Sequence, residues 1–240
     1  MAGIKFKIHQ SYQQMSEAAA TFILEEIKHK PNLMLCPATG STPVRTYDLL
    51  VAYCKKEMPD TSALRMVKLD EWGGLKPSDP GSCEYQVQRQ LAGPLGINDY
   101  FGFNPKSIDA AAETQKAREY LNKKGPIDLC ILGIGTNGHL GFNEPGEYIS
   151  PFAHSVALTT ESQGHDMVKH ITNKPRYGIT LGMADILASR KIILLANGIK
   201  KKHVMQKLKQ EKITTRFPAS FLWLHPDVTC FCDEEAFDDQ

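Results

Sequence analysis

Apolar and polar positions follow two rhythms along this chain. Over residues 11–28, Met15, Ala18, Phe22, Ile23 and Ile27 recur at the spacing of one helix face. Elsewhere the chain has short, mostly apolar runs, at 33–36, 65–69, 127–134, 191–196 and 228–232, and each run reads as a strand. A first strand starts near Ile4. Helical spacing returns between the runs, over 43–56, 83–95, 110–124, 162–171, 181–188 and 200–210. Pro43 stands in a first turn, Gly93-Pro94 near a helix end, and Gly125-Pro126 closes another helix. Strands separated by helices predict a parallel sheet covered on both faces. The expected fold class is therefore α/β, a single three-layer αβα domain over residues 1–240, undivided by linker or repeat. The longest irregular stretches, 70–82 and 138–155, are long enough to be functional or lid-like.

Composition narrows the partners. The 28 basic and 27 acidic residues leave a formal net charge of +1, with no basic tract. That balance gives no electrostatic ground for nucleic-acid or membrane binding. Residues 1–6 carry no signal-peptide core and no apolar run reaches 18 residues, so the expected compartment is cytoplasmic. Of the six cysteines, Cys36, Cys130, Cys230 and Cys232 fall in or beside strand-like runs, where a thiol behaves as a small hydrophobe. No CxxC pair and no histidine pattern points to a metal.

The chemistry concentrates where strands end. After the run at 127–134 comes Gly133-Ile134-Gly135-Thr136-Asn137-Gly138-His139-Leu140-Gly141-Phe142-Asn143-Glu144-Pro145. Its glycines permit tight turns, the histidine can move a proton near neutrality, and the glutamate can orient it. The formal G-x-G-x-x-G match is not a dinucleotide fingerprint, because Gly141 and Pro145 prevent the helix that motif requires. Residues 37–43, Pro-Ala-Thr-Gly-Ser-Thr-Pro, follow another strand and precede a helix, as either an anion site or a plain capped turn. Asp70 and Glu71 end the run at 65–69, and adjacent strand residues point opposite ways, so only one carboxylate faces the cleft. Lys200, Lys201 and Lys202 open a helix after the strand at 191–196, where they are either a solvated cluster or an anion contact.

Taken together, these segments resemble the amino-sugar-phosphate deaminase/isomerase family, which includes glucosamine-6-phosphate deaminase. The likeness is carried by 39–43, 69–75, 133–145 and 198–201, in family order, and spans about residues 10 to 233. Gly178-Ile179-Thr180-Leu181-Gly182, Asp185-Ile186-Leu187, Gly146-Glu147 and residues 218–225 are similar to the galactosamine-6-phosphate isomerase branch. The resemblance implies a Rossmann-like sheet and conversion of an amino-hexose 6-phosphate to a ketose 6-phosphate with loss of ammonia. It implies Asp70 as the base that carries the C2 proton to C1 and His139 as the ring opener, oriented by Glu144. Asn137 would be polar support. Thr39, Gly40, Ser41 and Thr42 would cradle the phosphate, with Lys201 as its cation. Such chemistry needs no metal or organic cofactor, and its partner is a small amino-sugar phosphate; self-association is left open.

Two departures from the family pattern stand out. Gln163 occupies the place of a phosphate-gripping arginine in the glucosamine enzymes. His154 and Val156 stand where allosteric deaminases carry basic residues, so no N-acetyl-sugar-phosphate regulatory site is expected. Two other readings share part of the pattern. A 6-phosphogluconolactonase shares the glycine–histidine loop but lacks the Asn-Glu-Pro at 143–145, and a non-catalytic sugar-phosphate sensor would carry a DNA-binding segment ahead of the first strand.

Overall fold

In the computed structural model, residues 3–106, 110–158, 160–164, 167–171 and 174–237 are described. The elements run β1 (Ile4–His9), α1 (Tyr12–His29), β2 (Met34–Cys36), α2 (Val44–Glu57), β3 (Arg65–Val67) and β4 (Asp70–Trp72). Then come α3 (Cys83–Val87), α4 (Gly93–Leu95), β5 (Asp99–Phe101), α5 (Ala110–Lys124), β6 (Leu129–Gly133), β7 (His154–Ala157) and α6 (Thr160–Gln163). The chain finishes with β8 (Tyr177–Thr180), α7 (Met183–Leu187), β9 (Lys191–Ala196), α8 (Lys202–Leu208), β10 (Val228–Asp233) and α9 (Glu234–Phe237). A wider helical turn, Gln88–Ala92, joins α3 to α4, so the helical pattern read over 83–95 is one element with a bulge. Ser11 caps α1 by accepting the Gln14 N–H.

The main sheet has seven strands in the order β1-β10-β9-β6-β2-β3-β5, all paired in parallel. Alternate residues of each central strand go to opposite faces, as pleating requires. Leu129, Ile131, Ile193, Leu195 and Phe231 meet α1, α2 and the α3–α4 stretch. Cys130, Leu132, Ile192, Leu194, Cys230 and Cys232 meet α7, α8 and α9 on the other side. The chain is thus a three-layer αβα fold, and all six cysteines are buried and free.

From β2 the chain steps through β3 to β5 in one direction; from β6 it steps through β9 to β10 in the other. The connections leaving β2 and β6 therefore diverge, which opens a crevice beyond the C-terminal ends of these neighbouring strands.

Three elements differ from the sequence expectation. A second, antiparallel sheet, β4-β8-β7, stands apart from the first; β4 lies within the irregular stretch at 70–82, β7 begins within that at 138–155, and β8 falls where no element was expected. Its strands have three or four residues, too few to show alternation. The helix expected over 162–171 is a single turn, Thr160–Gln163, followed by Gly164 and by turns over 167–170; residues 165 and 166 lie outside the described residues. Glycine is a poor helix former, which ends the helical pattern there. Strand β5 was not foreseen, and among the described residues no helix is long and apolar enough to cross a membrane.

Candidate active site

Asp70 and Glu71 begin β4, and the strand sends them opposite ways. Glu71 is fully buried, while Asp70 lies beside the loop after β6. A β-carbon on Gly141 would stand 3.4 Å from Asp70 Oδ2 and 2.6 Å from Thr180 Oγ1. The glycine, at φ 57°, lets the carboxylate and the loop approach. Burial, with the neighbouring Glu71 charge, pushes the Asp70 carboxyl up to about 6. The Cys83 thiol, Lys68 and His139 pull the other way.

The loop holds His139 from several sides. Its N–H donates to Asn137 Oδ1 at 3.1 Å, and its carbonyl accepts the Gly135 N–H at 3.0 Å. The imidazole lies on Gly135, where a β-carbon would come within 2.4 Å of Cε1. Glu144 Oε2 approaches His139 Nδ1 at 3.5 Å, an ion-pair separation at the limit of a hydrogen bond. The same carboxylate accepts Asn137 Nδ2 at 2.9 Å and Ser162 Oγ at 2.6 Å. Burial works against the charged form of Glu144, but His139, Ser162 and Asn137 outweigh it and hold the carboxyl down at about 2. Gln163 is the next residue after Ser162, so α6 sits over this pair.

Two neighbouring pieces brace the loop. Phe217 lies where Gly138 has no side chain, and the Ala219 N–H donates to the Gly138 carbonyl at 2.9 Å. The galactosamine-like stretch at 218–225 thus begins as a support of the His139 loop. Asn143, nearly fully buried, donates to the carbonyls of Leu140 and Leu181 at 2.9 Å each, tying the loop to the end of β8.

The turn after β2 is fixed by side chains that sequence reading did not single out. Tyr12 donates to the carbonyls of Ser41 at 3.3 Å and Thr42 at 3.0 Å, and accepts the Arg45 N–H at 3.2 Å. The Gly40 N–H donates to Gln86 Oε1 at 2.9 Å, and Thr39 Oγ1 donates to Cys83 Sγ at 3.2 Å. Gly40 is at φ 97°, a region that favours glycine. Ser41 and Thr42 precede the start of α2. Lys201 Nζ donates to the Ile134 carbonyl, which places its ammonium at the C-terminal end of β6. The sequence-selected residues lie at or just beyond strand ends: Thr39 to Thr42 after β2, Asp70 on β4, Asn137, His139 and Glu144 after β6, and Lys201 after β9, with Asp70 close to the loop after β6 and Lys201 bonded to its start. Among the described residues, no group of three or more His, Cys, Asp or Glu is arranged to hold a metal ion.

Of the residues missed, only Lys68 left a signal, as a charge between the apolar Val67 and Leu69. Tyr12, Gln86 and Ser162 gave none, because each acts through a neighbour distant in sequence.

The sequence model of the family described as glucosamine-6-phosphate isomerases/6-phosphogluconolactonase matches residues 8–230. The protein described as putative deaminase AgaI, from Escherichia coli (strain K12), is 40% identical over 92% of this chain and 88% of its own length. The glucosamine-6-phosphate deaminase of Geobacillus sp. (strain WCH70) is 39% identical over 94% of this chain and 92% of its own. Among solved structures, a monomeric glucosamine-6-phosphate deaminase superposes with a TM-score of 0.92 at 33% identity, covering 97% of this chain and 98% of that one. The 6-phosphogluconolactonase of Trypanosoma brucei, at 21% identity and a TM-score of 0.79 over 98% of both chains, shares the fold. With a family match across nearly its whole length and relatives near 40% identity, the chain belongs to the glucosamine-6-phosphate isomerase/6-phosphogluconolactonase family.

Proposed function

We propose that this protein converts an amino-hexose 6-phosphate to a ketohexose 6-phosphate and ammonia, with galactosamine 6-phosphate preferred over glucosamine 6-phosphate. The observation that carries the reading is the meeting of Asp70 with the His139–Glu144 pair across Gly141. A carboxyl that titrates at about 6 is a stronger base than an ordinary one and is still ionised at neutral pH. His139, oriented by Glu144, moves the proton that opens the pyranose to the aldehyde. Asp70 takes the C2 proton and returns it to C1 while a proton passes from the C2 ammonium to O1, which leaves an iminium at C2. Water adds at C2 and ammonia departs, giving the ketose. Asn137 supports the pair through Glu144. The residues at 39–42 and Lys201 hold the phosphate, with binding energy remote from the reacting carbons. A phosphorylated sugar does not cross a bilayer unaided, so this substrate implies action in the cytoplasm.

The preference for the galactose configuration follows from the stretches at 178–187 and 218–225 and from the neutral Gln163. The two sugars differ only at C4, so discrimination turns on one hydroxyl. Leaving a buried polar partner unpaired costs about 1–3 kcal/mol, or roughly 5- to 150-fold. An ammonia-release assay with both sugars side by side tests the reading. Turnover of neither sugar removes the function; a kcat/KM favouring glucosamine 6-phosphate removes the preference and leaves the mechanism. Hydrolysis of 6-phosphogluconolactone in place of ammonia release would identify a lactonase.

Lys201→Ala is expected to raise KM for the sugar phosphate by roughly tenfold or more with a smaller change in kcat, because a phosphate contact acts in ground and transition states alike. An unchanged KM would place the phosphate elsewhere.

A further inference from the structure

Lys68 is a fully buried lysine in the short link between β3 and β4. Its ammonium meets Glu71 Oε2 at 2.7 Å, Glu84 Oε2 at 2.8 Å and the Phe103 carbonyl at 3.4 Å. The two carboxylates are otherwise filled. Glu71 accepts the backbone N–H groups of Trp72 at 2.8 Å, Cys83 at 3.0 Å and Glu84 at 2.8 Å. Glu84 accepts the Tyr100 hydroxyl at 2.6 Å and Gln88 Nε2 at 3.0 Å. Burial opposes the charge on Lys68, but the two carboxylates outweigh it and hold its proton more tightly than usual.

Joining a strand to a helix does not require buried ions. Apolar side chains of similar volume often do it as well or better, because three desolvated charges carry a heavy penalty. The trio's place in the fold offers another reason for it. Glu71 follows Asp70 directly and points the opposite way across β4. Cys83, whose N–H Glu71 holds, begins α3, and its thiol reaches Asp70.

We propose that the Lys68–Glu71–Glu84 trio is a positioning device for Asp70, fixing β4 against the start of α3 and setting the net charge behind the base. This rests on reading Asp70 as that base. Charged throughout, one ammonium and two carboxylates leave the trio at −1. The groups around Asp70 are Glu71 and Lys68 on its own segment, Cys83 at the start of α3 and His139 after β6. Cys36 on β2 and Tyr47 on α2 lie behind. Among these, Glu71 raises the proton affinity of Asp70 and Lys68 lowers it. Without Lys68, two uncompensated carboxylates would drive Asp70 toward its protonated form. With an apolar trio, burial alone would raise Asp70, and the part of the shift that Glu71 supplies would be lost.

Glu84→Gln is the informative variant. The amide oxygen can still accept from Lys68 and Tyr100, and the Gln88 amide can turn to accept from the new NH2. The trio then goes from −1 to 0. Asp70, followed by carbon-13 NMR of its carboxyl in the substrate-free chain, is expected to titrate lower by roughly half a unit to one unit. The acidic limb of kcat/KM is expected to move down with it. Lys68→Met takes the trio to −2 and should move both upward; if that variant does not fold, Glu84→Gln decides alone. An Asp70 titration in Glu84→Gln at or above the wild-type pH overturns the proposal, even if kcat falls, since a purely structural role would do that. If the titration moves down and the acidic limb stays, the trio acts on Asp70 as proposed and its assignment as the base fails instead.

Discussion

Asp70→Asn is expected to lower kcat by roughly 10²–10⁴-fold and, at the same time, to make the protein more stable at neutral pH. The amide keeps the shape of the side chain and removes the base. The stability gain follows from the direction of the carboxyl's shift. In the folded chain Asp70 titrates at about 6; in an unfolded chain an aspartate titrates at about 3.9. A folded value above the unfolded one means that ionisation costs folding free energy. The cost is absent below about pH 4, grows between pH 4 and 6, and is complete above the folded value. Asp70 is partly exposed, so the full shift is discounted to roughly 1–2 kcal/mol. Melting curves of wild type and variant should therefore differ by a few degrees at pH 7.5 and converge toward pH 4. Undiminished turnover would remove Asp70 as the base. A stability difference that ignores pH would remove the raised pKa.

Gly135→Ala is expected to cost kcat/KM about 10- to 100-fold on the cyclic sugar while the fold stays intact. Gly135 does not have a positive φ, so its backbone accommodates alanine. The conflict is with the imidazole: the new carbon would lie 2.4 Å from His139 Cε1 and 2.5 Å from each ring nitrogen. The Gly135–His139 backbone hydrogen bond, at 3.0 Å, resists movement of the main chain, so the ring must swing. Misplacing a reacting group by about 1 Å costs on the order of 100-fold. Wild-type kcat/KM in this variant would show that the orientation of His139 on Gly135 is not used.

The main sheet was legible in sequence because its strands at 127–134, 191–196 and 228–232 are buried on both faces and read as mostly apolar runs. The helices α1, α2 and α5 were legible for the complementary reason, one apolar face each. Asp99-Tyr100-Phe101 and His154–Ala157 were not, since three or four residues carry no period and their exposed positions dilute the apolar signal. In the site, the segments holding Asp70, His139 and Lys201 could be located because glycines and charges cluster at strand ends. What joins the segments was not readable. Tyr12 reaches the Ser41 and Thr42 carbonyls across about thirty residues, and Gln86 reaches Gly40 across 46. Lys68 stood in plain view as a charge in an apolar run, but Glu84, 16 residues on, only becomes its partner once α3 folds back on β4.

The pairing of β1 with β10 has a consequence for synthesis. Ile4 lies opposite Val228 and His9 opposite Asp233, so β1 has as its neighbour a strand made much later. At about 5–20 residues per second, a ribosome needs roughly ten to forty seconds to supply that partner. Through that interval the segment at 4–9 is an unclaimed sheet edge with Phe6 and Ile8 along it. Lys5 and Lys7 alternate with them. Charge of this kind discourages an unpaired edge from joining the wrong strand. In the finished protein Lys5 only meets Asp227 at 3.3 Å in an exposed ion pair, a contact of little worth to stability. The alternation of Lys5 and Lys7 with Phe6 and Ile8 therefore suits a strand whose partner is made only after all the residues between β1 and β10.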